Sequence, residues 1–87
     1  MTPREQFIRE MVEWINARLV PPGVRIDSTT PLFATRTINS IKILELIAWT
    51  ERATGRIVPD AQIRLDNFKS VERIADVFVR EASDAAA

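Results

Sequence analysis

Residues 39–55 read Asn39-Ser40-Ile41-Lys42-Ile43-Leu44-Glu45-Leu46-Ile47-Ala48-Trp49-Thr50-Glu51-Arg52-Ala53-Thr54-Gly55. Asn39 is a strong N-cap candidate, because its side-chain oxygen can accept a free N–H of the first turn. Ser40 is then the first helical residue. Gly55 is a natural stop, since glycine enters the left-handed region without a steric cost. The stretch predicts a helix over about residues 40–54. On a wheel of about 100° per residue, Ile43, Leu46, Ile47 and Thr50 share one side. Lys42, Glu45, Glu51 and Arg52 mark the opposite half as solvent-facing. Yet Ile41, Leu44 and Ala48 lie within that charged half, and Trp49 lies at its edge. An apolar cluster rimmed by charges is a partner-binding arrangement. The alternative is that a loop or a neighbouring helix covers it.

Upstream, Thr2-Pro3-Arg4-Glu5 has the form of a capping box with proline at the first helical position. Phe7, Ile8, Met11, Val12, Ile15 and Leu19 then recur at helical spacing, with Trp14 on the side of Phe7. A first helix is expected over about residues 3–19, stopped by Pro21-Pro22-Gly23. A long connection over residues 20–39 follows, with turn chemistry at Asp27-Ser28-Thr29-Thr30-Pro31. A loop this long in so small a domain is functional or pinned to the core, and Leu32-Phe33 are the expected pins. Downstream, Asp60 is placed to cap a short third helix over about residues 60–65, with Ile63, Leu65 and Phe68 plugging the bundle. Ser70 caps a last helix over about residues 70–82, whose buried stripe is Val71, Ile74, Ala75 and Phe78. The tail at residues 83–87 is expected to fray. No stretch alternates as a strand. The expected fold is all-α: one domain over residues 1–87, a four-helix bundle of three main helices and one short third helix.

Composition narrows the function. The chain has 87 residues, 46% of them hydrophobic and only 2 glycine, too apolar for disorder and sized for one domain with a modest core. Lys and Arg number 12, as do Asp and Glu, so there is no basic excess to bind nucleic acid. Charges alternate in sign, as on solvated helix faces. No apolar run approaches the ~20 residues of a membrane span, and no basic-then-apolar secretion signal opens the chain. With His 0 and Cys 0, the commonest general base and metal ligand, thiolate chemistry and disulfides are all excluded. No metal site is expected. The absence of cysteine fits a reducing compartment, so a cytoplasmic location is expected. Mostly charged surface makes a monomer the expected state.

Three readings of Ser40 stand side by side. Serine is favoured near helix starts for its hydrogen bonding alone. A catalytic serine needs an adjacent base; carboxylates, Lys42 and Lys69 are the candidates, and Lys42 points roughly 160–200° away on a helix. No Gly-rich elbow is present. The third reading is covalent attachment, since an anion at a helix N-terminus meets free N–H groups and the positive end of the dipole.

The chain resembles acyl carrier proteins and related peptidyl carrier domains over nearly its whole length. In that family an Asp-Ser-Leu or Asp-Ser-Ile motif opens the second helix, and Asn39-Ser40-Ile41 matches it with one change. Asp27 through Leu32-Phe33 is similar to the family's loop before the motif. Glu45-Leu46, the exit from Glu51 through Gly55 to Ile57-Val58-Pro59, and Phe68 with Ser70-Val71 are similar to its later landmarks. No gap is needed between Leu32 and Val71. The resemblance implies 4′-phosphopantetheine on Ser40 and no catalysis by the chain itself. It also implies a phosphopantetheinyl transferase, and enzymes that load and transfer acyl or aminoacyl groups carried as thioesters. Fatty-acid, polyketide or nonribosomal peptide biosynthesis is the implied setting. Asn39, Ile41, Lys42, Leu44, Glu45, Ala48 and Arg52 form the expected partner face. Ile43, Leu46 and Ile47 line either a small acyl cavity or plain core.

The sequence departs from the family pattern in three ways. Asn39 replaces the usual Asp, which preserves capping but removes a charge beside the serine. Arg36 stands where many members have Gly, so a rearranged loop is expected there. The family is strongly acidic, whereas this chain is neutral with Lys42 and Arg52 on the second helix. The expectation is a discrete carrier with its own dedicated enzymes in a specialised pathway. The alternative is an unmodified carrier-like interaction module. A nucleic-acid-binding helical domain and an enzyme are more distant alternatives.

Overall fold

The computed structural model describes residues 2–34 and 38–79, with Ser40 described by its backbone alone. Helix α1 spans Pro3–Arg18, α2 spans Ile43–Thr54 and α3 spans Val71–Ile74. Three 3₁₀ turns lie at Ser40–Lys42, Asp60–Gln62 and Leu65–Phe68, and a π-helical segment, Ala75–Val79, continues α3. No strand occurs among the described residues, so the fold is all-α and helical.

The start of α1 follows from its first residues. Thr2 is extended, and its hydroxyl accepts the Glu5 N–H at 3.1 Å and donates to the Glu5 carboxylate at 3.1 Å. Phe7, Met11 and Ile15 are buried at successive four-residue steps, with Ile8, Val12 and Trp14 packed against the core edge. Trp49 of α2 joins the two helices. It stacks on Trp14 at 5.7 Å and meets Phe7 edge-on at 5.3 Å.

The connection between α1 and α2 is pinned at more points than Leu32 and Phe33. Leu32 is fully buried and Phe33 packs against the core. Ile26 and Ile38 are buried as well. The Asn16 side-chain amide clasps the Ile26 backbone from both sides, accepting its N–H at 2.7 Å and donating to its carbonyl at 3.0 Å. Leu32 N–H donates to the Lys69 carbonyl at 2.8 Å, and Glu72 N–H donates to the Ser28 carbonyl at 2.8 Å. The loop thus satisfies its backbone against α1 and the chain entering α3, as buried backbone must. Arg36 lies outside the described residues.

The third helix differs from expectation. Residues 60–65 do not form one helix: the Asp60–Gln62 turn is followed by extended backbone at Arg64, then by the Leu65–Phe68 turn. The Asn67 side chain donates to both the Gln62 carbonyl, at 3.0 Å, and the Gln62 side chain, at 3.1 Å. That contact occupies a carbonyl a continuing helix would have used. The break changes which side chains point inward. Phe68 is fully buried against Phe78, with ring centroids 5.3 Å apart, but Ile63 and Leu65 are exposed and do not plug the bundle.

Ser70 caps α3, its hydroxyl accepting the Arg73 N–H at 3.1 Å. Val71, Ile74, Ala75, Phe78 and Val79 are buried. The Arg4 guanidinium reaches Asp76 at 2.9 Å and ties α1 to the π-helical segment. The expected helix residues 80–82 and the tail at 83–87 lie outside the described residues.

Candidate functional site

Burial and hydrogen bonding fix the approach to Ser40. Ile38 is buried, and its N–H donates to the Leu32 carbonyl at 3.0 Å. One residue later the chain surfaces at Asn39, which is exposed. The Asn39 side-chain oxygen accepts the Ile41 N–H at 2.9 Å, and its backbone carbonyl accepts the Lys42 N–H at 2.9 Å. Asn39 therefore caps from outside the turn. The i→i+3 bond to Lys42 makes the first turn 3₁₀, a common way for an α-helix to open. The α-helical ladder begins only at Ile43. Ser40 sits between a buried anchor and the first turn of α2.

The residues after Ser40 split by face. Leu46, Ile47 and Thr50 are buried, and Ile43 packs at the core edge. The Thr50 hydroxyl donates to the Leu46 carbonyl at 2.8 Å, so its burial leaves no donor unpaired. On the other side Ile41 is 72% and Leu44 67% exposed, and Ala48 and Arg52 are exposed beside them. Ile41, Leu44, Ala48 and Arg52 follow at steps of three and four residues, which places them on one stripe. Among the described residues, neither the loop nor the third-helix region covers it. Lys42 Nζ lies 3.0 Å from the Glu45 carboxylate, which occupies the amine closest in sequence to Ser40.

Two features of this face were not read from the sequence. Glu51 is not free surface charge: its carboxylate accepts the Val58 N–H at 2.8 Å and holds the helix exit. Gly55, at φ 70°, then turns the chain. Val58 is buried while Ile57 is left 84% exposed. Ile57 and Arg56 join Ala48, Glu51, Arg52 and Gly55 around an open groove at the end of the stripe. The signal was an aliphatic pair after a helix-stopping glycine, of which only one member can face the core. A second groove, lined by Gln6, Phe7, Glu10, Ala53, Thr54 and Val79, lies between the start of α1 and the end of α2, away from Ser40.

Asp27, in the pinned loop, has a clearly perturbed acidity. The Thr29 hydroxyl donates to its carboxylate at 2.8 Å, as does the Thr29 N–H at 2.8 Å, and the Thr30 hydroxyl lies at 3.2 Å. These donors, the Thr29 hydroxyl foremost, hold its carboxyl below the ordinary value. Among the described residues no three His, Cys, Asp or Glu side chains converge to hold a metal ion, and no helix is long and apolar enough to cross a membrane.

No protein-family model matches this chain, and no curated protein matches it.

Proposed function

We propose that this chain is a discrete carrier protein of the four-helix acyl carrier type, with 4′-phosphopantetheine attached through a phosphodiester to Ser40. The observation that carries the reading is the Asn39-Ser40-Ile41 motif. It lies at the exposed mouth of α2, after a loop pinned to the core and directly before an uncovered apolar stripe. The residues suit the group. A phosphodiester is anionic, and the opening turn of α2 presents the positive end of the helix dipole. Asn39 fixes the turn through the Ile41 N–H.

When bound, the group would supply a thiol that carries acyl or aminoacyl cargo as a thioester. The chain's own residues do no bond chemistry in this reading. The buried Ile38 and the Asn39 cap hold the Ser40 backbone at one place on a rigid scaffold. Ile41, Leu44, Ala48 and Arg52, with Asn39 and the Lys42–Glu45 pair, form the face that a transferase or acyl-handling enzyme grips. Tethering raises the effective concentration of cargo at the partner's active site. Ile43, Leu46 and Ile47 serve as core. The neutral charge assigns the carrier to dedicated enzymes of a specialised pathway rather than to generic partners of acidic carriers.

The experiment is incubation with coenzyme A and a promiscuous phosphopantetheinyl transferase, read by intact-protein mass spectrometry with fragmentation. The reading expects one phosphopantetheinyl group on Ser40 and none on Ser40→Ala. A gain on another residue would overturn it. The second reading is an unmodified interaction module built on the same helical scaffold. Asn39 in place of the family's aspartate favours it. It requires that Ser40→Ala leave biological activity intact.

A further inference from the structure

The exposed stripe of α2 and the groove beyond it form one continuous face whose charges are unevenly committed. Five charged side chains belong to it. Lys42 is paired with Glu45 at 3.0 Å. The Glu51 carboxylate is turned to the Val58 N–H at 2.8 Å. Arg52 and Arg56 are exposed and have no ion pair among the described residues. Both line the groove beside Ile57, which at 84% is the most exposed large hydrophobic residue described. The face therefore offers aliphatic knobs at Ile41, Leu44 and Ile57, and two free guanidinium forks at the end far from Ser40.

We propose that this face docks a protein partner presenting an apolar pocket rimmed by Asp and Glu carboxylates, the carboxylates pairing with Arg52 and Arg56. The inference rests on the carrier reading for the partner's identity as an enzyme that acts at Ser40. From Ile43 to Thr54 the helix is about 18 Å long. A partner gripping the arginine end thus spans the stripe and meets Ser40 at the other. Guanidinium groups favour this role because their planar fork matches a carboxylate in two parallel hydrogen bonds. A second copy of the chain is a poor occupant: an antiparallel two-fold contact would set its arginines against the Lys42–Glu45 pair, whose carboxylate is already held by Lys42 at 3.0 Å. An anionic membrane is also a poor occupant. Two free cations, diluted by Glu45 and Glu51, fall short of the four to eight clustered Lys and Arg that mark lipid-binding segments.

The test is a selection of binders from a displayed library of small helical scaffolds, with one face randomised among apolar, acidic and basic residues, against the full chain. Selected binders are expected to combine aliphatic or aromatic residues with Asp and Glu. They should shift backbone amides of residues 41–57. Arg52→Glu/Arg56→Glu should slow their association about tenfold or more, with the same unfolding midpoint as the parent. Arg52→Lys/Arg56→Lys should retain most of the rate. The proposal is overturned by binders dominated by Lys and Arg, by amide shifts centred elsewhere, or by an association rate indifferent to the charge reversal. It is also overturned if sedimentation shows a dimer that the reversal dissolves, or if vesicles with anionic lipid bind the face. Basic binders on a chain modified at Ser40 would sink this inference alone. Acidic binders on a chain that resists modification in its own cells would sink the carrier reading alone.

Discussion

Replacing Asn16 with alanine removes the clasp that fixes the long loop to α1. The Asn16 side chain accepts the Ile26 N–H at 2.7 Å and donates to the Ile26 carbonyl at 3.0 Å, both partly buried. Ile26 itself is 5% exposed, so water reaches the orphaned groups poorly. A net hydrogen bond contributes about 1 kcal/mol, and leaving a buried group unpaired costs more, about 1–3 kcal/mol. Two lost bonds at this partly buried site give a cost of about 2–3 kcal/mol. A domain of this length has total stability of about 4–13 kcal/mol, so the loss is a large share of it. Urea unfolding followed by tryptophan fluorescence measures it directly, because Trp14 and Trp49 stack across α1 and α2. With a slope of about 1 kcal/mol/M, the midpoint should fall by about 2–3 M. Glu13→Ala, on the exposed side of the same helix, should stay within about 0.5 kcal/mol. An Asn16→Ala midpoint within about 0.5 M of the parent would show that the loop does not depend on this clasp.

Other residues give equally direct tests. Asn39→Ala removes the acceptor of the Ile41 N–H and should cost about 1 kcal/mol in thermal unfolding, while Asn39→Asp should cost nothing; equal losses from both would mean that Asn39 does not cap. Phe68→Ala empties a fully buried site against Phe78 and should cost about 3–5 kcal/mol, leaving a marginal fold by far-ultraviolet circular dichroism. Asp27 has its folded pKa lowered from the ordinary 3.8, first by the Thr29 hydroxyl, then by the Thr29 N–H and the Thr30 hydroxyl. Its contribution is fully present above that ordinary value and is lost as the pH falls below it, through the folded value. Asp27→Asn should therefore flatten the acid limb of the stability profile, and an unchanged limb would remove Asp27 from the account.

Much of the scaffold was readable because its signals are local. The Thr2 and Ser70 caps, the stripe through Phe7, Met11 and Ile15, and the stop at Gly55 each depend on neighbours within one or two turns. The exposed run of Ile41, Leu44 and Ala48 was visible for the same reason, since a wheel places it opposite Leu46 and Ile47. What failed depended on distant partners. Whether Ile63 and Leu65 face inward turns on the Asn67 contact with Gln62, which breaks the expected third helix. The Asn16–Ile26 clasp and the Glu51–Val58 bond join residues ten and seven apart through loop geometry that no periodicity encodes. In the helix exit Ile57-Val58 only one aliphatic side chain can face the core, and the fold gives that place to Val58 and leaves Ile57 exposed.

The central claim is that Ser40 is an attachment point, and the mass of the protein isolated from cells that make it naturally tests this most directly. The account predicts a species heavier than the bare chain by one phosphopantetheinyl group, or by that group with its acyl or aminoacyl cargo. Fragmentation should place the added mass on Ser40, and the Ser40→Ala chain from the same cells should carry none. A natural chain found entirely at its unmodified mass would contradict the claim and leave only a helical scaffold with an exposed binding face.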